Sequence, residues 1–133
     1  MKVIEVCSTS KEEMIDITHN VEQIVQKENI ENGICLVYTP HTTAGIIINE
    51  NADPDVRRDI LMMLKKLVPE SLPYSHTEGN SPAHIKSAII GNSRIVPINK
   101  GRLSIGTWEG IFFCEFDGPR KRKVYLEVLG RER

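Results

Sequence analysis

The chain has 133 residues, with 17 basic and 18 acidic side chains and a formal net charge of −1. That length suits one domain, large enough to bury a core without disulfide or metal staples, so a metal here would be functional rather than scaffolding. The even balance of charge gives no broad field toward nucleic acid or an anionic membrane, and neither is expected as a partner.

Cys7, Cys35 and Cys114 are far apart and odd in number. Each sits in an apolar or strand-like run, so they read as small buried hydrophobes, and a reducing cytoplasm fits. Glu5 interrupts what would otherwise resemble a secretory core. No apolar run approaches the ~20 residues of a membrane span, so a soluble, cytoplasmic chain is expected.

Val3, Ile4 and Val6 suggest a first strand over residues 2–7. Ser10-Lys11-Glu12-Glu13 has the form of a capping box, which predicts a helix to about Glu28 with Met14, Ile17, Val21, Ile24 and Val25 on one face. His19 falls on the opposite, wet face and is set aside as a ligand. Asn32-Gly33 reads as the stop and turn before a buried strand, Ile34 to Tyr38, and Ile46 to Ile48 forms the next.

Asp53-Pro54 predicts an N-cap and first helical residue. The helix runs to about Leu67, with Val56, Ile60, Met63, Leu64 and Leu67 on one side and Arg57, Arg58 and Lys65 on a solvated one. Pro69 and Pro73 open a polar loop, Ser81-Pro82 starts a short helix, and Gly91-Asn92 stops it. Ile95 to Ile98 contains Pro97 and reads as an edge strand. The segments Ile105 to Phe116 and Val124 to Val128 complete an expected three-stranded antiparallel C-terminal meander. No repeat or linker divides residues 1–133, so a single domain is expected.

The richest stretch is Tyr74 to Lys86, which holds His76, Glu78, His84 and Lys86 around a turn and a helix start. Unpaired N–H groups at such a start suit a phosphate or carboxylate. His41-Thr42-Thr43 follows a buried strand, where side chains can be aimed into a cleft. Three histidines, His41, His76 and His84, with one open position would suit a catalytic zinc site if the fold brought them together; as loop residues they could equally be hydrogen-bonding or surface groups. Glu50 could serve as general base, metal ligand or partner to an imidazole, or form a rim salt bridge. Gly106-Thr107-Trp108 could be a stacking wall or a bulge with Trp108 in the core. Arg120-Lys121-Arg122-Lys123 reads most simply as the wet start of the last strand, with phosphate binding as the lesser alternative.

Four blocks taken together resemble a known family: His41 to Gly45, Asn49 to Arg57, Glu78 to Lys86 and Gly106 to Ile111. They are similar, in order and spacing, to the YjbQ family, also called UPF0047 and often labelled secondary thiamine-phosphate synthase. The resemblance runs from about residue 3 to residue 128. It implies an α+β fold with a largely antiparallel β-sandwich partly curled into a barrel, assembled as a homotrimer. It also implies a weak transferase activity joining a pyrimidine diphosphate to a thiazole phosphate with release of pyrophosphate.

Carried over, the site falls on His41, His76 and His84, with Glu50, Asn51 and Lys86 nearby and Gly106-Thr107-Trp108 as a wall. The expected mechanism has the histidines holding a divalent metal, zinc or alternatively magnesium. Lys86 and the helix start at Ser81 receive phosphate beside Thr42 and Thr43, Glu50 acts as base, and Trp108 stacks on a ring. A zinc-dependent hydrolase, or a metal- or ligand-binding trimer without turnover, stands as the alternative. A phosphorylated small molecule is the expected ligand in each case.

Overall fold

The computed structural model describes residues 1–133. In chain order the elements are β1 (Lys2–Cys7), β2 (Glu13–Asp16), α1 (Thr18–Lys27), β3 (Ile30–Tyr38), β4 (Ala44–Glu50), α2 (Pro54–Leu67), α3 (Ser81–Ile90), β5 (Ser93–Asn99), β6 (Arg102–Leu103), β7 (Glu109–Glu115) and β8 (Lys121–Glu132). They form an antiparallel five-stranded sheet, β1-β8-β3-β5-β6, and an antiparallel three-stranded sheet, β2-β7-β4. This is the expected α+β class, with one sheet curled into a half-barrel.

Alternation along the strands decides which side chains enter the core. Ile4, Val6, Cys35, Val37, Val96, Val124 and Leu126 point inward from the larger sheet and meet Ile46, Ile111 and Phe113 of the smaller one. Val21 and Val25 of α1 join the same cluster. The other face of the smaller sheet carries Met14, Phe112 and Cys114, which Leu64 of α2 and Ala83 of α3 help cover. β7 is therefore buried on both faces, which is why Ile111 to Cys114 is continuously apolar.

Several expectations change. The capping-box segment does not start a helix: Glu13 Oε1 accepts from the Ser10 N–H, but the bond closes a loop into β2. Met14 is then drawn opposite Cys114, while Asp16 Oδ1 accepts from Thr18 N at 2.9 Å to begin α1. Asn32-Gly33 lies inside β3, which starts at Ile30. Gly33 is required there because a Cβ would stand 2.0 Å from Leu129 O across the β3–β8 pairing.

The C-terminal meander does not form, because β7 joins the smaller sheet while β8 inserts between β1 and β3. Pro97 does fall next to the open side, since β6 pairs with β5 only at Ile98 and Asn99. Cys7 is exposed, whereas burial pushes the Cys35 thiol up to about 11 and Cys114 up to about 12.

α2 starts as its sequence dictates, Asp53 accepting from Asp55 N at 2.9 Å with Pro54 inside the first turn. Its apolar side is covered only in part: Leu64 is buried, but Met63 and Leu67 are 50% and 62% exposed. Arg57 is not a wet residue, since its guanidinium lies 4.6 Å from the Phe112 ring. No helix is long and apolar enough to cross a membrane.

Candidate functional site

β3 runs directly into Thr39-Pro40-His41-Thr42-Thr43, and β4 leaves from it. Thr39 is fully buried and its Oγ1 donates to Lys123 O at 3.1 Å, tying the loop to the start of β8. The Lys123 N–H in turn donates to His41 Nε2 at 2.9 Å. A neutral imidazole has one acceptor nitrogen, so this bond leaves the proton on Nδ1. Burial holds the His41 pKa below its usual value; Arg122, Lys123 and Arg120 lower it further, and Glu115 opposes them. His41 is thus neutral near pH 7 in a locally positive field.

Below the loop lies a buried ion pair. Glu115 is fully enclosed and Arg122 is 4% exposed. Arg122 Nε donates to Glu115 Oε1 at 2.9 Å, and Nη2 donates to both Glu115 Oε2 and Thr43 Oγ1, the latter at 2.8 Å. Ser8 Oγ completes the carboxylate at 2.6 Å. Burial would raise the Glu115 pKa, but hydrogen bonds from Arg122, Ser8 and the Asp117 backbone together bring it below the ordinary carboxylate range.

Arg120 pairs with Asp117 at 2.9 Å, and Asn80 Nδ2 donates to the same carboxylate oxygen at 3.0 Å, so the turn after β7 is fastened to the start of α3. Burial would raise the Asp117 pKa; the bonds from Asn80 and Arg120 outweigh it and hold it down.

These elements border an open polar cavity of about 340 Å³; Thr42, Thr43, Glu78, Asn80, Asp117, Arg120 and Arg122 are among its walls. A second cavity, about 470 Å³, continues from it past Tyr38, Ala88 and Asn92. Pro40, His41, Thr42 and His84 line both. His84 also borders a third space of about 440 Å³, shared with Tyr74, His76 and Ser81. The rings of His76 and His84 meet edge to face with centroids 5.3 Å apart.

The fold therefore brings together His41, Thr42, Thr43 and His84 and puts Ser81 and His76 beside them. It does not bring in the rest. Ala44 and Glu50 are at opposite ends of β4, about 20 Å apart by strand rise. Glu50 sits there opposite Glu109 and accepts from Ala52 N at 2.8 Å. Asn51 donates its N–H to Trp108 O, and Gly106 donates to Glu109 Oε1, so the Gly106-Thr107-Trp108 stretch forms a turn at that far end. Trp108 is 64% exposed and neither fills the core nor walls the cavity.

Lys86 is 1% exposed and its ammonium is spent on Glu12 Oε2 at 2.7 Å, inside the fold rather than toward the cavity. The expected three-histidine metal centre is not assembled. The acceptor nitrogen of His41 is occupied by a backbone donor, and no group of three histidine, cysteine or carboxylate side chains converges in a way that could hold a metal ion.

Glu115, Asn80 and Asp117 were not singled out from sequence, and Arg122, read as part of the wet start of the last strand, is instead buried. Arg122 carried a signal: it shares the phase of inward-facing Val124 and Leu126, so its side chain had to enter the sandwich. Glu115, embedded in Ile111 to Phe116, required a buried cation as its partner.

Comparison with known proteins gives the same family by sequence and by structure. The family model described as UPF0047 protein YjbQ-like matches residues 2–131. UPF0047 protein YugU of Bacillus subtilis is 50% identical over 98% of this chain and 99% of its own. UPF0047 protein MJ1081 of Methanocaldococcus jannaschii is 46% identical over 95% of this chain and 91% of its own. A Clostridium acetobutylicum crystal structure, described as an uncharacterized conserved protein of the yjbq/upf0047 family, superposes with a TM-score of 0.95 at 47% identity, covering 97% of this chain and 100% of that one. A Sulfolobus solfataricus structure, described as a YbjQ-like protein of unknown function, gives a TM-score of 0.94 at 39% identity, covering 98% of this chain and 96% of that one.

The thiamine-phosphate synthase expectation and its hydrolase and metal-binding alternatives are corrected by these findings. The relatives are known by family and not by an activity; Glu50 and Lys86, which those mechanisms required, lie away from the histidines, and the histidines form no group that could hold a metal ion. With a family match over nearly its whole length and close relatives on the same backbone, the chain belongs to the YjbQ-like UPF0047 family.

Proposed function

We propose that the protein binds a small phosphorylated molecule, its anionic group seated in the polar cavity between the Thr39–Thr43 loop, the start of α3 and the start of β8. The observation that carries this reading is the donor set of the cavity. Arg120 and Arg122 line it together with Thr42, Thr43, His41 and His84, and Arg122, Lys123 and Arg120 act on His41 against Glu115. Glu78 and Asp117 also line it, and Asp117 is engaged by Arg120 and Asn80, so an anion is drawn to the guanidinium side.

The donors are suited to it. Arg122 and Arg120 use Nε and Nη2 within the fold, which leaves each Nη1 uncommitted. Guanidinium groups and hydroxyls are effective phosphate donors because they offer directed N–H and O–H bonds. His41 presents Nδ1–H, and His84 across the cavity is the second imidazole that would face the bound oxygen atoms.

The test is an amide NMR titration with inorganic phosphate at low salt, on wild type, Arg120→Met and Lys123→Met. Shifts concentrated at Thr42, Thr43, His84 and Lys123, weakened several-fold in both variants, are expected. Shifts absent there in wild type, or unchanged by both substitutions, refute the reading.

A homotrimer is part of the same proposal, and a separate observation supports it. The outward face of the five-stranded sheet carries Ile34, Ile95 and Leu129, which are 39%, 62% and 58% exposed, in rows set by the β3–β5 and β3–β8 registers. A second apolar surface, Met63, Leu67 and Ile89, lies on α2 and α3. A cyclic ring uses two different surfaces on each copy. Light scattering on wild type and Ile95→Glu tests this: a trimer that Ile95→Glu dissociates is expected, and a wild-type monomer refutes it.

A further inference from the structure

We infer that the ligand is a phosphate monoester with a compact uncharged body, its ester oxygen held at the junction between His41 and His84; this rests on the anion-binding reading above. The two cavities that meet there differ in chemistry. The first is walled by charged and polar side chains, with Pro40 as its one apolar residue. The second has no carboxylate, arginine or lysine in its lining, and is bounded by Tyr38, Ala88 and the backbone at Gly91.

Of the hydroxyls lining the second cavity, that of Ser87 is spent, because its Oγ donates to Ala44 O at 2.6 Å. An ionised group placed there would find no counter-charge in the lining. An uncharged body loses little and gains contact with Tyr38 and Pro40. Inorganic phosphate fills only the first cavity, and a molecule with phosphate at both ends leaves one of them unmatched.

Volume agrees with this division. Cavities of about 340 and 470 Å³ lie in the size range of small-ligand sites, and they meet at shared lining residues, Pro40, His41, Thr42 and His84. Ala88 is then the residue that sets how large a body fits. It is exposed on α3 and contributes to neither hydrophobic cluster, so enlarging it narrows the second cavity without touching the core.

The experiment measures affinity by calorimetry for inorganic phosphate and for phenyl phosphate, on wild type and Ala88→Leu, with thermal unfolding to confirm that both are folded. Wild type is expected to prefer phenyl phosphate by at least about tenfold, and Ala88→Leu to lose that preference while holding inorganic phosphate within about twofold. Equal affinity for both probes in wild type overturns the two-part ligand and leaves the anion site standing. So does an unaltered preference for phenyl phosphate in Ala88→Leu. If neither probe binds wild type, the anion-binding reading itself fails and this inference falls with it.

Discussion

Replacing Glu115 with Gln tests the ion pair on which the cavity floor rests. The carboxylate has no exposed surface and the facing guanidinium is 4% exposed, so Arg122 would remain charged with its counter-charge removed and almost no water to replace it. Breaking a buried pair from one side costs about 3–5 kcal/mol, against the 5–15 kcal/mol that typically holds a domain together. The bond from Ser8 Oγ at 2.6 Å and that from the Asp117 N–H at 3.1 Å are weakened as well, which places the expectation in the upper part of that range.

Urea unfolding monitored by circular dichroism measures the loss, and each kcal/mol lowers the melting temperature by roughly 3–5 °C for a chain of this size. The double variant Glu115→Met with Arg122→Met should recover most of the stability, because it removes both desolvated charges together. A loss below about 1 kcal/mol in Glu115→Gln would mean that water reaches Arg122 through the cavity, and the account of a dry pair supporting the site would be wrong.

Further predictions concern neighbouring features. His41 has its folded pKa below the ordinary 6.5, so the unfolded chain binds more protons as pH falls. The stability from neutral His41 is present above pH 6.5 and is lost as pH falls through the lowered value, and His41→Asn should flatten that part of the stability–pH curve. Glu115 is likewise held below its ordinary 4.5, so its contribution disappears only as the solution is acidified through that lower value.

Lys86→Met should lower stability by about 1–3 kcal/mol by leaving Glu12 unpaired, yet leave phosphate affinity within about twofold; a large affinity loss would return Lys86 to the site. Gly45→Ala should cost about 1–3 kcal/mol in denaturant unfolding, since its Cβ would stand 2.9 Å from Gly91 O and push α3 off β4. Asp53→Ala should cost about 1 kcal/mol by the same measurement, through loss of the cap on α2.

Local chemistry was legible wherever its partners lay close in sequence. Asp53-Pro54 started α2 as read, Ser81-Pro82 opened α3, and Gly91 ended it at φ 91°, because caps and turns are decided within a few residues. His19 stayed on the wet face for the same reason. Where a distant partner competed, the local signal lost: the Ser10–Glu13 pattern formed its bond but yielded to pairing between Met14 and Cys114, a hundred residues apart. Asn32-Gly33 was overruled by the close approach of β8.

The candidate site divides along the same line. The sequence by itself identified His41, Thr42, Thr43 and His84 as polar groups at element ends, and blocks similar to a known family identified the family. It could not say that β4 carries Glu50 away from His41, because a strand separates its ends by length alone and only the fold says which end meets which loop. Nor could it separate Lys86, enclosed with Glu12, from Arg122, enclosed with Glu115 yet lining the cavity. Both are cations in polar stretches, and what distinguishes them is which buried carboxylate the tertiary packing sets against each. That choice is made by long-range strand pairing, whose free energy is spread over the whole sandwich and is written in no single stretch of the chain.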